Sequence, residues 1–143
     1  MILPDVNVLV YAFRTEVRHH TLCRSWLRDV ILGSEQFALS PMALAAVVRI
    51  TTDHRIYAEP SSLEDALGFC DDLLNQPHCH AVEPGPRHWE IFKRLSLETD
   101  TRGRRVTETW YAALAIEWGC EWITFDRDYA RFPGLKWRVP EAQ

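Results

Sequence analysis

The sequence signal is strongest in residues 106–137, which read VTETWYAALAIEWGCEWITFDRDYARFPGLKW. Apolar residues recur at helical spacing as far as Trp118, and Gly119 follows as a helix-terminating residue. Residues 121–124 and 135–139 then predict two short strands. A helix that leads into short apolar strands is typical of an α/β fold.

The rest of the chain repeats this alternation of short strands with longer helices. Strands are expected at residues 2–4, 36–39, 80–82, 121–124 and 135–139, and helices at 7–13, 20–32, 41–52, 63–74, 87–97 and 106–118. Ser40 and Ser62 are expected as N-caps, with Pro41 at the first helical position. Trp89 and Val106 are expected on buried helix faces. The sequence therefore predicts an α/β fold around a mainly parallel sheet of about five strands.

Composition indicates one folded domain over residues 1–143. Apolar residues form 47% of the chain and charged residues 25%, a balance that excludes an intrinsically disordered chain and a coiled coil. No apolar run approaches the roughly 20 residues of a membrane span, and the N-terminus lacks the basic region of a signal peptide. The four cysteines form no C-x-x-C pair, so we expect free thiols in a cytoplasmic protein.

Acidic residues follow two of the predicted strands. Asp5 follows the first strand, and Asp126 follows the strand at 121–124, with Asp128 two residues later. Glu108 lies in the first turn of the helix that leads into that strand. Each acid alone is explained by a helix cap or a turn. If the first and fourth strands are neighbours, however, these carboxylates converge at one sheet edge, where a hard cation such as Mg²⁺ would offset their repulsion.

Two segments of the chain carry a specific family resemblance. MILPDVNVLVYAF, residues 1–13, resembles the opening of PIN-domain nucleases, in which a strand ends in D-x-N. Residues 106–137 resemble the C-terminal signature of VapC-type toxins within that family, with A-A-L-A, T-x-D-R-D followed by an aromatic residue, and R-F-P-G-L-x-W. Residues 39–41 and 84–89 are also similar to one VapC subfamily, so the resemblance covers nearly the whole chain.

The resemblance implies a magnesium-dependent endoribonuclease, the toxin of a VapBC-type toxin–antitoxin module. It implies a three-layer α/β/α sandwich, a homodimer, a VapB-like antitoxin as partner, and structured RNA such as tRNA as substrate. Carried over by position, the implied catalytic acids and metal ligands are Asp5, Glu108 and Asp126, with Asp128 as an auxiliary ligand and Asn7 and Thr124 as polar supports. The implied chemistry is attack of a metal-activated water on a phosphodiester.

The sequence departs from the family pattern at three positions. Ala46 stands where many PIN domains carry Glu, Glu108 stands where Asp is usual, and Arg104 stands where Asn is frequent. The extra methylene of Glu108 reduces the preorganisation of a ligand for Mg²⁺, which demands near-ideal geometry. We therefore expect reduced activity, with Mn²⁺ as an alternative metal. The alternative function is a catalytically degenerate PIN domain that binds antitoxin or RNA and cleaves nothing.

Two further interpretations concern an arginine-rich loop and a different role for Asp5. Arg102, Arg104 and Arg105 precede the helix that carries Glu108, and they form either an RNA phosphate contact or a solvated loop. A phosphohydrolase or receiver-type domain with Asp5 as nucleophile is the third function class considered. Such phosphatases generally carry D-x-D after the first strand, whereas residue 7 here is Asn.

Overall fold

The computed structural model describes residues 1–141, and its central element is a five-stranded parallel sheet. The strands are β1 Ile2–Pro4, β2 Phe37–Leu39, β3 Cys79–Ala81, β4 Glu121–Ile123 and β5 Trp137–Arg138. Their order in the sheet is β3-β2-β1-β4-β5, and every neighbouring pair is parallel. The predicted α/β fold with a parallel sheet is confirmed.

Six α-helices connect the strands. They are α1 Val6–Phe13, α2 His20–Leu32, α3 Pro41–Thr51, α4 Leu63–Leu74, α5 His88–Glu98 and α6 Arg105–Glu117, and a 3₁₀ helix spans Arg127–Arg131. The predicted caps form: the Ser40 side chain accepts a hydrogen bond from the Ala43 N–H, and Ser62 accepts one from the Asp65 N–H. Gly119 has a φ of +64°, the left-handed conformation that ends α6.

Side chains on opposite faces of the sheet enter two separate hydrophobic clusters. Leu3 and Trp122 point into one cluster with α5 and α6, whereas Ile2 and Ile123 contact the other, which contains α1 and α2. The separation follows from the two-residue period of a strand, because successive side chains face opposite sides. Helices therefore cover both faces of the sheet, which gives the three-layer sandwich.

Two expectations about helix faces are wrong. Trp89 on α5 is 65% exposed, and Val106 on α6 is 42% exposed. The buried face of α5 instead presents His88 and Leu95 toward α6. Apolar spacing marks one stripe of a helix, but how much of that stripe is covered depends on the neighbouring elements.

The sheet order places the ends of β1 and β4 side by side. Pro4 pairs in register with Ile123, so Asp5 and Thr124 directly follow two adjacent strands. The chain runs from β1 to β2 and β3 on one side, and β4 and β5 lie on the other side. The carboxyl ends of β1 and β4 therefore mark the topological switch point of the sheet. At such points α/β sheets form crevices beyond the carboxyl ends of their strands.

Two other expectations about the chain can be compared with the structure. All four cysteines are free thiols, as expected. No helix in the described part of the chain is long and apolar enough to cross a membrane.

Candidate active site

A cavity of about 420 Å³ opens beside the carboxyl ends of β1 and β4. Its lining residues are Asp5, Val6, Asn7, Val10, Tyr11, Ile50, Tyr57, Thr107, Glu108, Tyr111, Asp126 and Tyr129. Three of the four predicted acids, Asp5, Glu108 and Asp126, therefore face one space although 103 or more residues separate Asp5 from the other two.

Asp5 is the most buried of these acids and also caps α1. Its side chain is fixed by the Val6 N–H, which donates to Oδ1 at 2.6 Å, and by the Thr124 hydroxyl, which donates to Oδ2 at 2.6 Å. The Asn7 amide donates to the same Oδ2 at 3.3 Å. Asp5 therefore forms the expected N-cap of α1, and the same carboxylate also lines the cavity.

Asn7 and Thr124 connect the two sequence segments at the strand ends. The Asn7 side chain donates to Thr124 Oγ1 at 3.3 Å and accepts from the Phe125 N–H at 3.4 Å. Thr124 Oγ1 also accepts a hydrogen bond from the Asp126 N–H at 3.0 Å. One network therefore joins the D-x-N segment after β1 to the T-x-D segment after β4, and it sets the relative position of Asp5 and Asp126.

The electrostatics of the cavity are dominated by negative charge. Burial raises the pKa of Asp5 to about 6, and the charges of Asp126 and Glu108 add to this rise, whereas hydrogen bonds from Thr124 and Val6 oppose it. Burial also raises the pKa of Tyr111 to about 12, and the charge of Asp5 contributes in the same direction. A site that disfavours additional negative charge in this way favours a bound cation.

Glu108 is positioned by α6 and by the loop that precedes this helix. No side chain caps the start of α6, because the cap position is occupied by Arg104. Instead, a chain of hydroxyl groups ties the loop to the helix: Thr99 to Thr101 at 2.8 Å, and Thr101 to Thr109 at 2.8 Å. Thr109 is fully buried, so its hydrogen bond to Thr101 holds the first turn of α6, which carries Glu108, in place.

The Glu108 carboxylate forms an ion pair with Arg131. Arg131 Nη2 donates to Glu108 Oε2 at 2.6 Å, and both side chains are largely shielded from solvent. Arg131 closes the 3₁₀ helix that begins directly after Asp126. The segment after β4 therefore contributes both an acid that lines the cavity and a cation that contacts Glu108.

Asp126 and Asp128 occupy different environments. Asp126 caps the 3₁₀ helix, and its Oδ1 accepts a hydrogen bond from the Asp128 N–H at 2.9 Å. Asp128 itself is exposed and lies outside the set of residues that line the cavity. Its backbone thus orients Asp126, while its carboxylate faces solvent.

The three arginines before α6 also lie outside the cavity lining. Arg102, Arg104 and Arg105 are exposed. Arg102 pairs with Asp100 at 3.0 Å, and both side chains of this pair are at least 80% exposed. This arrangement matches a solvated basic loop next to the helix turn that carries Glu108.

The remaining lining of the cavity is largely apolar and aromatic. Ile50 of α3 lines the cavity, whereas Ala46, one turn earlier on the same helix, does not. Tyr11 and Tyr57 also belong to this lining, and the Arg14 guanidinium lies 4.1 Å above the centre of the Tyr57 ring. Among the described residues, α3 therefore supplies no acid to the cavity.

The donor set of the cavity fits a hard divalent cation. Within residues 1–141, no three carboxylate, histidine or cysteine side chains stand close enough to enclose an ion by themselves. Mg²⁺ does not need such a cage, because it usually keeps several waters and takes one or two carboxylates together with substrate phosphate. The carboxylate oxygens of Asp5, Glu108 and Asp126 would meet this requirement if water and substrate phosphate completed the coordination.

Arg131, Tyr11 and Tyr57 are among the residues of this region that were not predicted as site residues. Arg131 has a detectable signal, because it opens the R-F-P-G-L-x-W motif and lies five residues after Asp126, a predicted ligand. Tyr57 lies in the connection between α3 and α4, where no motif or periodicity marks it. Its place in the cavity wall depends on how that connection folds back.

Comparison with known proteins shows similarity along nearly the whole chain. A sequence profile of the PIN domain matches residues 2–135. Ribonuclease VapC43 of Mycobacterium tuberculosis is 38% identical over 140 residues, which cover 98% of this chain and 95% of the relative. Ribonuclease VapC25 of the same organism is 34% identical over 136 residues, which cover 95% and 96% of the two chains.

Solved structures share the fold at lower sequence identity. The chain is similar to one in the crystal structure of VapBC2 from Rickettsia felis, bound to a DNA fragment from its promoter, with a TM-score of 0.73, 17% identity, and coverage of 97% and 98% of the two chains. It is also similar to VapC20 of Mycobacterium tuberculosis, a toxin that cleaves the sarcin–ricin loop, with a TM-score of 0.66, 12% identity, and coverage of 91% and 93%. At these identities the likeness establishes the fold.

Proposed function

Because this chain belongs to the PIN domain family, we propose that it is a VapC-type endoribonuclease, the toxin of a type II toxin–antitoxin pair, and that it cleaves structured RNA such as tRNA. The observation that carries this proposal is the set of three carboxylates, Asp5, Glu108 and Asp126, around one cavity at the switch point of the sheet. The similarity to the ribonucleases VapC43 and VapC25 supports the same activity.

In this proposal Asp5, Glu108 and Asp126 hold Mg²⁺ or Mn²⁺. The bound metal would supply a Lewis acid for a phosphate oxygen and lower the pKa of an attacking water. Asn7 and Thr124 orient Asp5 through the hydrogen bonds described above.

The remaining parts of the proposal concern partners and location. We assign a VapB-like antitoxin as the partner, a homodimer as the assembly and the cytoplasm as the compartment. The similarity to a chain of the VapBC2 complex of Rickettsia felis supports the antitoxin assignment. Asp128 serves as an auxiliary acid, and the exposed Arg102, Arg104 and Arg105 contact RNA phosphates away from the reacting group.

Cleavage of structured RNA with Mg²⁺, with Mn²⁺ and with excess EDTA tests this function. We expect metal-dependent cleavage by the wild type and its loss in Asp5→Ala and Asp126→Ala, because each change removes a carboxylate whose charge water cannot replace. Asp71→Ala, which removes an exposed acid on α4, serves as the matched control and should cleave like the wild type.

The degenerate-domain alternative makes a different prediction in the same experiment. Ala46 and the pairing of Glu108 with Arg131 are the observations that favour it. A wild type that binds RNA but cleaves none of a varied set with either metal would establish that alternative and exclude the nuclease.

A further inference from the structure

Glu108 has a cationic partner that the other cavity acids do not have. Among the ion pairs within residues 1–141, the one between Arg131 and Glu108 is the only one that involves Asp5, Glu108 or Asp126. The two side chains are 19% and 27% exposed, so solvent screens this pair less than a surface pair. The contact engages Oε2, and Oε1 accepts no hydrogen bond from this part of the chain.

Arg131 is itself held on more than one side. Its Nη1 donates to the Asp128 carbonyl at 2.8 Å, and its guanidinium lies 4.2 Å above the centre of the Phe132 ring. Phe132 is buried in the hydrophobic cluster, so the ring is a firm base for this contact. A guanidinium restrained in this way presents its remaining donors in a defined direction.

The contacts of Arg131 connect two of the three cavity acids. Asp126 accepts a hydrogen bond from the Asp128 N–H, the Asp128 carbonyl accepts one from Arg131, and Arg131 donates to Glu108. This path joins the turn after β4 to the first turn of α6. The position of Glu108 is therefore set relative to Asp126 by a continuous series of hydrogen bonds.

The length of the acid at residue 108 decides whether this path can close. Aspartate is shorter than glutamate by one C–C bond, about 1.5 Å. At the observed 2.6 Å, withdrawal by that distance would take the oxygen beyond hydrogen-bonding range. An aspartate here would have to lose either the contact with Arg131 or its approach to the cavity.

We propose that Arg131 is the positioning residue for Glu108: it fixes one carboxylate oxygen and leaves the other for the cation. This inference rests on the metal-dependent function proposed above. The guanidinium restores the preorganisation that the extra methylene of Glu108 removes, so Glu108 and Arg131 act as a matched pair. Residues that orient metal ligands typically contribute about 10–100-fold to affinity or activity.

Arg131→Lys tests the positioning role without changing the charge next to the site. A neutral replacement would remove a positive charge near the site as well as the positioning contact, so the two effects on metal affinity could not be separated. Lysine keeps the charge and loses only the planar fork that spans Glu108 and the Asp128 carbonyl. We expect a Mn²⁺ dissociation constant about 10-fold higher by isothermal titration calorimetry, and a kcat for RNA cleavage about 10–100-fold lower with KM little changed.

Glu108→Asp breaks the same pair from the other side. It leaves the contacts of Arg131 with Phe132 and Asp128 in place, so it keeps the inference testable if Arg131→Lys fails to fold. We expect weaker Mn²⁺ binding and slower cleavage, although aspartate is the usual family residue. In the double variant the losses should not multiply, because either change alone already breaks the pair.

Arg138→Lys is the matched control, since Arg138 forms an ion pair of the same 2.6 Å length with Glu121 on the strands β5 and β4. If Arg131→Lys behaves like Arg138→Lys in both Mn²⁺ affinity and kcat, the inference is overturned. Binding and cleavage at least as strong in Glu108→Asp as in the wild type would also overturn it. A wild type that binds Mn²⁺ no better than Asp5→Ala refutes the metal-dependent function itself, a distinct outcome.

Discussion

At the scale of single residues, Asp5 combines burial with the proposed role of a metal ligand. Only 7% of the residue is exposed, and its pKa is raised from 3.8 to about 6 by burial and by the neighbouring acids. The folded state therefore holds the Asp5 proton more tightly than the unfolded state. The resulting stabilisation is complete below about pH 4 and is lost as the pH rises through about 6.

This linkage predicts a pH-dependent difference between the wild type and Asp5→Asn in the absence of metal. Asparagine keeps an acceptor for the Val6 N–H and never ionises. Between pH 4.5 and 7.5 the Tm of the wild type should fall by several degrees relative to the variant, because only the wild type must bury a charge. Thermal melts in EDTA measure this difference, and parallel curves for the two proteins would contradict the raised pKa.

At the scale of elements, α6 is the helix on which both the core and the site depend. Its residues Tyr111 to Ala115 are buried, and its first turn carries Glu108. Leu114 is fully buried in the cluster between α6 and the sheet. The helix therefore has to be rigid in its centre for its first turn to present an acid at a fixed place.

Leu114→Ala should destabilise the fold by about 2–5 kcal/mol, because it removes buried methyl groups and leaves a cavity. Val106→Ala on the same helix is the control, since Val106 is 42% exposed and should cost well under 1 kcal/mol. Urea unfolding of both variants gives the comparison. Equal losses in the free energy of unfolding for the two variants would contradict the burial of Leu114 and the exposure of Val106.

At the scale of the whole molecule, several large apolar side chains on α5 and at the end of α6 are exposed. Trp89 and Leu97 on α5 are 65% and 79% exposed, and Trp118 after α6 is 44% exposed. Large aromatic side chains are enriched in the cores of protein interfaces. We therefore predict that the proposed homodimer forms through these side chains and leaves the acidic cavity open.

Light scattering coupled to size exclusion tests the dimer. The wild type should show twice the mass of the chain, and Trp89→Lys combined with Leu97→Lys should give the monomer mass without loss of Tm. Leu32→Lys, at a residue 76% exposed on α2, is the control and should remain dimeric. A monomeric wild type at high concentration would contradict this prediction.

Local interactions explain most of what could be foreseen from the residues alone. The N-caps at Ser40 and Ser62 and the terminating Gly119 depend on neighbours within a few positions, so their signals are complete in the sequence. The acids Asp5 and Asp126 are recognisable for the same reason, because Asp5 directly follows one short apolar strand and Asp126 comes three residues after the end of another. Their assignment as ligands depended further on the family resemblance.

Contacts between distant segments required the folded chain. The neighbouring position of β1 and β4, which brings Asp5 to the Asp126 segment, follows from how the whole sheet buries both of its faces. The exposure of Trp89 and the pairing of Arg131 with Glu108 likewise depend on how separate elements pack. Helical and strand periods specify which side chains share a face. Which other element packs against that face depends on packing and desolvation over the entire molecule.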